Sequence, residues 1–124
     1  QIQMTETQNT KRYDLEDRTL DFAKRIRVFV AKLKSTPANI EDIKQLIRSS
    51  GSVGANYIEA NEALSKKDFV MRAKICRKEA KESRYWLKLV DTGQDKMLEQ
   101  ERKNLENEAL ELTHIFGAIV TKSE

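Results

Sequence analysis

The stretch "QLIRSSGSVGANYIEANEAL", residues 45–64, decides how this chain folds. It holds two glycines and three serines, and glycine destabilises a helix by about 1 kcal/mol relative to alanine. Even so, one set of positions recurs in alternating steps of four and three, which is the spacing of one helix face. We therefore predict a helix over about 40–64 whose buried face includes small residues: Ile43, Ile47, Ser50, Gly54, Tyr57, Asn61 and Leu64.

The segment that follows repeats this pattern. Ser65 is the expected N-cap of a third helix, with Asp68 three residues later. Its predicted buried face is Phe69, Ala73, Cys76, Ala80, Ser83, Leu87 and Val90, and the four central members are small. Because a short connection makes consecutive helices antiparallel neighbours, we expect Ser50 and Gly54 to lie against residues 73–83, with the two backbones close together.

Two further helices flank this pair. The first is predicted over about 15–34, with Asp14 as its N-cap, and Pro37 follows its end. The fourth is predicted over about 95–121, after Thr92-Gly93. The buried face of the first is Leu15, Thr19, Phe22, Ile26, Phe29 and Leu33, and that of the fourth is Leu98, Leu105, Ala109, Leu112, Phe116 and Ile119, interrupted by Arg102.

Four helices with three short connections predict an all-α fold, an antiparallel up-down-up-down four-helix bundle. Asn39 is the expected N-cap of the second helix. We assign residues 1–12 to a flexible N-terminal tail and residues 13–124 to the bundle domain. A chain of 124 residues with 4 Gly and 1 Pro suits a single domain of long helices.

The composition also excludes several classes of protein. No apolar run approaches the roughly 20 residues of a membrane helix, and no signal peptide is visible. Cys76 is the only cysteine, so an internal disulfide is impossible. A chain with a single cysteine suits a reducing compartment, and we expect a cytoplasmic protein with no membrane contact.

The residue types needed for catalysis or metal binding are missing. His114 is the only histidine, so neither a zinc site nor a di-iron site is predicted, and we expect it at the flank of the core. Cys76 is expected to be a buried, inert thiol. Glu79 and Glu82 have basic neighbours and are expected to form salt bridges. We therefore predict no catalytic residue, no cofactor and no metal.

Charge is distributed unevenly along the chain. Residues 66–88 hold nine Lys or Arg and three Asp or Glu, a net charge of +6, whereas residues 95–111 carry −3. Five of the basic residues follow helical spacing over ~21 Å of helix and form a predicted basic stripe: Lys74, Arg77, Lys81, Arg84 and Lys88. Arg72 and Lys78 are predicted to flank other faces of the helix. Two interpretations remain open. The stripe follows a phosphate backbone, or it is neutralised by acids such as Glu99, Glu106 or Glu108 of the fourth helix or of another subunit.

Apolar residues outside the predicted buried faces form a second pattern. One bundle interior uses one face of each helix, so the surplus either covers the flanks of the core or meets another subunit. We favour the second alternative and expect a homo-oligomer. The residues concerned are Met71, Ile75, Tyr85 and Leu89, then Trp86, which lies beside the predicted buried face, and Val53 and Ile58 of the second helix.

Three strings carry a resemblance to a known family: "YDLEDRTLDFA" at 13–23, "QLIRSSGSVGANYIEA" at 45–60 and "KKDF…RAKICRKEAKESRYWLKL" at 66–89. Together they resemble small four-helix-bundle proteins, some of which are encoded in intervening sequences of bacterial 23S rRNA genes. A related branch is the accessory protein of diversity-generating retroelements. The resemblance implies a homopentameric ring and, from that branch, contact with nucleic acid and a reverse transcriptase; it implies no catalytic residue.

These observations leave two functions open. The first is a non-enzymatic, homo-oligomeric adaptor that binds RNA or a nucleic-acid-handling protein through the basic stripe. The second is a protein-binding assembly module without nucleic-acid contact, in which basic and acidic helices pair between subunits. Salt dependence separates them, because phosphate contacts weaken steeply as salt rises.

Overall fold

Four α-helices make up the part of the chain that the structure describes. This structure is a computed structural model, and it describes the backbone of residues 2–124 and the side chains of residues 15–124. The helices are α1 (Ile2–Val30), α2 (Pro37–Asn61), α3 (Lys66–Leu89) and α4 (Lys96–Ser123). Each helix packs against the next, and α1 also packs against α4. The predicted antiparallel up-down-up-down four-helix bundle is confirmed.

The start of α1 differs from the prediction. The helix begins at Ile2 rather than near Leu15, so Asp14 lies inside the helix and is not its N-cap. The first dozen residues contain no Gly or Pro, and nothing in them therefore stops a helix. The predicted division into a flexible tail at 1–12 and a bundle domain at 13–124 falls on residues whose side chains lie outside the described set, and it stays a prediction.

The N-caps of the other helices are short polar side chains. Ser65 caps α3 by accepting a hydrogen bond from the backbone N–H of Asp68, as predicted. Asp95 caps α4 by accepting a hydrogen bond from the backbone N–H of Leu98. The N-cap of α2 is Thr36, and the prediction of Asn39 was wrong. Pro37 occupies the first helical position, where its missing N–H has no consequence.

Asn39 connects two loops of the bundle instead of capping α2. Its side chain is buried, donates to the carbonyl oxygens of Lys34 and Asp91, and accepts from the backbone N–H of Asp91. Lys34 belongs to the α1–α2 connection and Asp91 to the α3–α4 connection. One amide therefore joins two loops at the same end of the bundle and satisfies backbone groups that the helices leave unpaired.

The core follows the predicted faces of α1, α3 and α4 closely. Every residue predicted for α1 is buried, and so are those predicted for α3 except the half-buried Phe69. In α4 the ends of the face, Leu98 and Ile119, are half-buried, and Val120 joins the core. Tyr57 of α2 and Phe116 of α4 meet across the bundle, with ring centroids 5.6 Å apart in an edge-to-face arrangement.

The predicted face of α2 is confirmed at Ser50 and Tyr57, which are buried, but it is displaced by one residue at three other positions. Leu46, Val53 and Ala60 are buried, in place of the predicted Ile47, Gly54 and Asn61, which are half-buried. The displacement arises because α2 packs against helices on both sides. Leu64, predicted at the end of this face, lies after the helix and is almost fully exposed.

Gly54 faces a different helix from the one predicted. A Cβ atom on Gly54 would lie 3.0 Å from Thr19 Oγ1 of α1, so this glycine allows α1, not α3, to approach. The close approach between α2 and α3 is made by other small residues. The hydroxyls of Ser49 and Ser83 lie 2.9 Å apart. The Cys76 thiol donates a hydrogen bond to the backbone carbonyl oxygen of Val53 in α2, at 3.4 Å.

No helix in the described part of the chain combines the length and apolar character that crossing a bilayer demands.

Candidate nucleic-acid interface

The basic stripe lies along α3 on the side that borders α4. Lys74, Lys81 and Lys88 are exposed, whereas Arg77 and Arg84 are half-buried. The buried face of α3 points inward, and the stripe follows helical spacing along its outer edge. Three of the five predicted residues therefore present their charge directly to solvent.

The two arginines of the stripe are half-buried, and Arg77 packs toward α4. The Arg77 Cδ atom lies 3.7 Å from the position that a Cβ of Gly117 would occupy, so its aliphatic stem lies over the bare backbone of α4. The Nε atom of Arg84 is buried and has no hydrogen-bond partner among the described residues. The contact with Gly117 places the stem of Arg77 at the junction of α3 and α4.

The acidic residues expected to neutralise the stripe have other partners. Glu108 accepts two hydrogen bonds from Arg18 of α1, at 2.7 and 2.8 Å. Glu99 pairs with Arg102 and also accepts from Thr92. Glu106 lies 4.0 Å from Arg102. Within the described part of the chain, the interpretation that α4 neutralises the stripe through these acids is wrong.

One ion pair does reach the stripe. Lys74 Nζ lies 3.1 Å from a Glu124 carboxylate oxygen, and both side chains are about half exposed. Exposed pairs of this kind contribute about 0–1 kcal/mol. The other four members, Arg77, Lys81, Arg84 and Lys88, form no ion pair with any residue that the structure describes.

Lys78 extends the charged surface, although the sequence pattern placed it on another face. Its side chain is 70% exposed, and its Nζ approaches buried Glu79 only to 4.0 Å. Arg72, by contrast, donates to the Asn56 side chain of α2 and is held at that interface. The exposed cations of the outer surface therefore include four lysines along the middle and end of α3: Lys74, Lys78, Lys81 and Lys88.

The surplus apolar residues of α3 separate into two groups. Met71, Tyr85 and Leu89 are each about half exposed. Ile75 is half-buried, and Trp86 packs against the hydrophobic core. Of the two α2 residues, Val53 is fully buried and belongs to the core, whereas Ile58 is 54% exposed. An exposed apolar surface thus lies beside the lysines, as the sequence predicted.

A polar cluster links this surface to α2. Arg48 of α2 forms ion pairs with both Glu79 and Glu82 of α3, which confirms the prediction that the two glutamates form salt bridges. The Trp86 Nε1–H donates to Glu82 at 3.0 Å. This hydrogen bond, together with the charge of Arg48, holds the pKa of Glu82 below its ordinary value.

The geometry gives no support for catalytic or metal chemistry. Burial raises the pKa of the Cys76 thiol to about 12, so the sulfur stays protonated and is a poor nucleophile. His114 is exposed, and the prediction that it lies at the core flank was wrong. Among the described residues, no three His, Cys, Asp or Glu side chains lie together in a way that would hold a metal ion.

Two features of this surface were missed from the sequence. Arg48 lies 34 residues from Glu82, and only the packing of α2 on α3 brings them together. Lys78 was assigned to another face because five other basic residues gave a more regular spacing. Its position seven residues from both Met71 and Tyr85 was the available signal for an outward side chain.

Comparison with known proteins finds a matching family model and similar solved structures. Residues 11–118 match the sequence model of a family described as 23S rRNA-intervening sequence protein. The chain is also similar to a crystal structure of a protein of unknown function from the S23 ribosomal protein family of Bacteroides thetaiotaomicron. The two are 31% identical, the match covers 86% of this chain and 97% of that one, and the TM-score is 0.74. No curated protein matches the chain.

Proposed function

The chain belongs to the 23S rRNA-intervening sequence protein family, and from this membership we propose that it is a non-enzymatic, homo-oligomeric adaptor that binds RNA or other nucleic acid. The observation that carries the proposal is the outer surface of α3. Exposed lysines repeat along ~21 Å of one rigid helix, and the acids of α4 predicted to neutralise them are engaged by Arg18 and Arg102.

The spacing of these charges suits a phosphate backbone. Lysine is a flexible point charge that contacts phosphate without demanding a fixed geometry. Such contacts give affinity without reading sequence, because phosphates are the same at every nucleotide. A rigid helix that carries several of them supports binding to a strand rather than to a single free phosphate.

Self-association strengthens this proposal. Met71 and Leu89 supply exposed apolar area on α3, and Ile58 and Leu20 supply more on α2 and α1. The resemblance noted above supports a pentameric ring. Repeating a weak phosphate-binding surface around a ring raises the avidity for one long strand. The lone cysteine, which suits a reducing compartment, supports a cytoplasmic location.

The test compares two triple variants of the full chain. Lys74, Lys81 and Lys88 are replaced by glutamine in the first. The matched control replaces Lys24, Lys96 and Lys103, which are exposed on other elements, and changes the net charge equally. Fluorescence anisotropy with a labelled 20-nucleotide RNA, titrated between ~50 and ~300 mM salt, measures binding, and light scattering measures mass.

The proposal expects the wild type to bind with a steep salt dependence and to scatter as a multiple of 14.4 kDa. The α3 variant should lose affinity and lower the slope of log K against log salt by about two, since each phosphate contact contributes roughly 0.7. The control variant should keep the affinity and the salt slope of the wild type. A wild type without salt-sensitive binding at ~100 mM salt would leave the alternative, a protein-binding assembly module.

A further inference from the structure

Tyr85 is the aromatic residue of α3 that faces solvent. Its side chain is 57% exposed, although its neighbour Trp86 packs against the hydrophobic core. The core of the bundle therefore does not account for Tyr85. A large aromatic ring held in water on a charged helix needs a separate explanation.

The Tyr85 ring is supported from below by Trp86. The two ring centroids lie 5.0 Å apart with an interplanar angle of 76°, an edge-to-face contact. Trp86 is held in turn by its hydrogen bond to Glu82, and Glu82 is held by Arg48 of the neighbouring helix. This chain of contacts restricts the rotamer of Tyr85, so little conformational entropy remains to be lost when a ligand binds its face.

Lysines flank the ring along the helix. Lys81 precedes Tyr85 by four residues and Lys88 follows it by three, the spacings at which helical side chains are neighbours. Both lysines are exposed. Lys78, seven residues before Tyr85, continues the same outer surface and is 70% exposed. An aromatic platform therefore lies inside a row of cations.

We propose that Tyr85 is a base-stacking platform, and that the nucleic acid bound along α3 is single-stranded. This inference rests on the proposed function and makes it more specific. The π-face of Tyr85 takes one unstacked base, while Lys81 and Lys88 contact the phosphates on either side of it. In a duplex the bases are stacked on each other and their faces are inaccessible, so a duplex offers Tyr85 no partner.

The same chemistry serves single-stranded RNA and single-stranded DNA, because every base has a π-face and both backbones carry phosphates. It does not suit a strand without bases. The proposal therefore ranks ligands by the presence and accessibility of bases, whereas attraction to the lysines alone ranks them by charge density.

The experiment uses the full chain and three labelled probes of equal length. These are single-stranded oligo-uridine, the corresponding RNA duplex, and an abasic strand with the same number of phosphates; a fourth arm uses oligo-thymidine. Binding is measured for the wild type, Tyr85→Ala and Tyr85→Phe. Leu20→Ala is the matched control, since Leu20 is 53% exposed on α1.

The wild type is expected to bind both single strands more tightly than the abasic strand. Tyr85→Ala should weaken binding to the single strands by roughly 5- to 150-fold, the range for loss of one stacked base, and should leave abasic binding within about twofold. Tyr85→Phe keeps the π-face and should bind like the wild type. A 4-thiouridine in the strand should photo-crosslink at residue 85, detected by mass spectrometry.

Four results would overturn the proposal. If Tyr85→Ala weakens abasic and single-stranded binding equally, the ring does not stack on a base. A fall in oligomer mass for Tyr85→Ala, seen by light scattering, would assign the ring to self-association. Salt-sensitive binding that Tyr85→Ala leaves unchanged rejects stacking alone and keeps the proposed function. A wild type that binds none of the probes would reject both base stacking and the proposed nucleic-acid-binding function.

Discussion

The α2–α3 and α1–α4 interfaces of this bundle are built on opposite principles. Between α2 and α3 the side chains are small, so the Ser49 and Ser83 hydroxyls meet directly at 2.9 Å. Between α1 and α4, long charged side chains reach across the surface, and Arg18 holds Glu108 and Glu111 at 2.6–2.8 Å. The centre of the α2–α3 interface is held by close backbones, with the Arg48 ion pairs only at its edge, whereas ion pairs bridge α1 and α4.

The difference predicts where the stability of the fold resides. Close packing in a dry interior has no room for added atoms. Ion pairs at the surface are screened by water and salt, and each contributes little. The α2–α3 interface should therefore tolerate substitution poorly, and the α1–α4 ion pairs should be replaceable at small cost.

The largest effect is expected from Ala80→Leu on the buried face of α3. Ala80 is fully buried, and three added carbon atoms would force the helices apart. Overpacking of this kind costs about 1–3 kcal/mol or more, and here we expect the upper part of that range. Urea denaturation measures it, with Ala118→Leu on the exposed side of α4 as the control. Equal midpoints for the two variants would contradict close packing.

Gly54→Leu should rank second, because it tests the neighbouring contact between α2 and α1. The added Cβ would lie 3.0 Å from Thr19 Oγ1 and 3.3 Å from Thr19 Cβ, so α1 must move. We expect a loss of about 1–3 kcal/mol in the free energy of unfolding.

The matched control for Gly54 lies three residues earlier on the same helix. A Cβ on Gly51 would meet only the Arg27 guanidinium, at an ordinary 3.6 Å. Gly51→Ala should therefore stabilise α2 by up to about 1 kcal/mol through helix propensity. If Gly54→Leu were tolerated as well as Gly51→Ala, the two glycines would be equivalent and the assignment of Gly54 to a close contact would fail.

The two helices of the α2–α3 interface also differ in how well the sequence predicted them. In α3 the predicted face is a run of small residues with larger apolar residues at both ends, set between charged neighbours, and almost every predicted residue is buried. In α2 the same spacing fits two adjacent faces. Gly54 has no side chain whose character would indicate which neighbouring helix it faces, and Ser49 and Ser50 suit a core or a surface equally well. Only the packing of the helices in the structure shows which helix each of these residues contacts.

The candidate interface shows the same limit. Helical spacing predicted the exposed Lys74, Lys81 and Lys88, since it depends on one helix alone. It did not predict the partners of the α4 acids or the link from Arg48 to Trp86. Those contacts join residues far apart in sequence, and charge counting along the chain cannot distinguish Arg18 from Lys81 as the partner of an acid.

Arg18→Ala tests the contribution of the ion pairs between α1 and α4. Its hydrogen bonds to Glu108 and Glu111 raise the pKa of the Arg18 guanidinium despite its partial burial. The side chain of Arg18 is 29% exposed and that of Glu108 14%, so the pair is partly shielded. We expect a loss of about 1 kcal/mol, smaller than either packing variant.

Salt separates the two kinds of interface. The difference between wild type and Arg18→Ala should shrink in 1 M salt, where charges are screened within about 3 Å. The loss caused by Ala80→Leu should not shrink, because packing is not screened. A salt-independent effect of Arg18→Ala would mean that its aliphatic stem, and not its charge, stabilises α1 against α4.

The smallest effect is expected at the edge of the α2–α3 interface, where Glu82 accepts from Trp86 and pairs with Arg48. The hydrogen bond from Trp86 comes first among the causes that lower the Glu82 pKa below its ordinary 4.5. A carboxylate whose pKa is lowered in the folded state stabilises the fold at pH values above its unfolded-state pKa. That contribution is lost as the pH falls through its folded-state pKa.

The signal to follow is Trp86 fluorescence, since the chain has one tryptophan. It should titrate below pH 4.5 while helical circular dichroism is unchanged, and Glu82→Gln should abolish the step. A midpoint above 4.5 would mean that burial, and not these two partners, controls this carboxyl group.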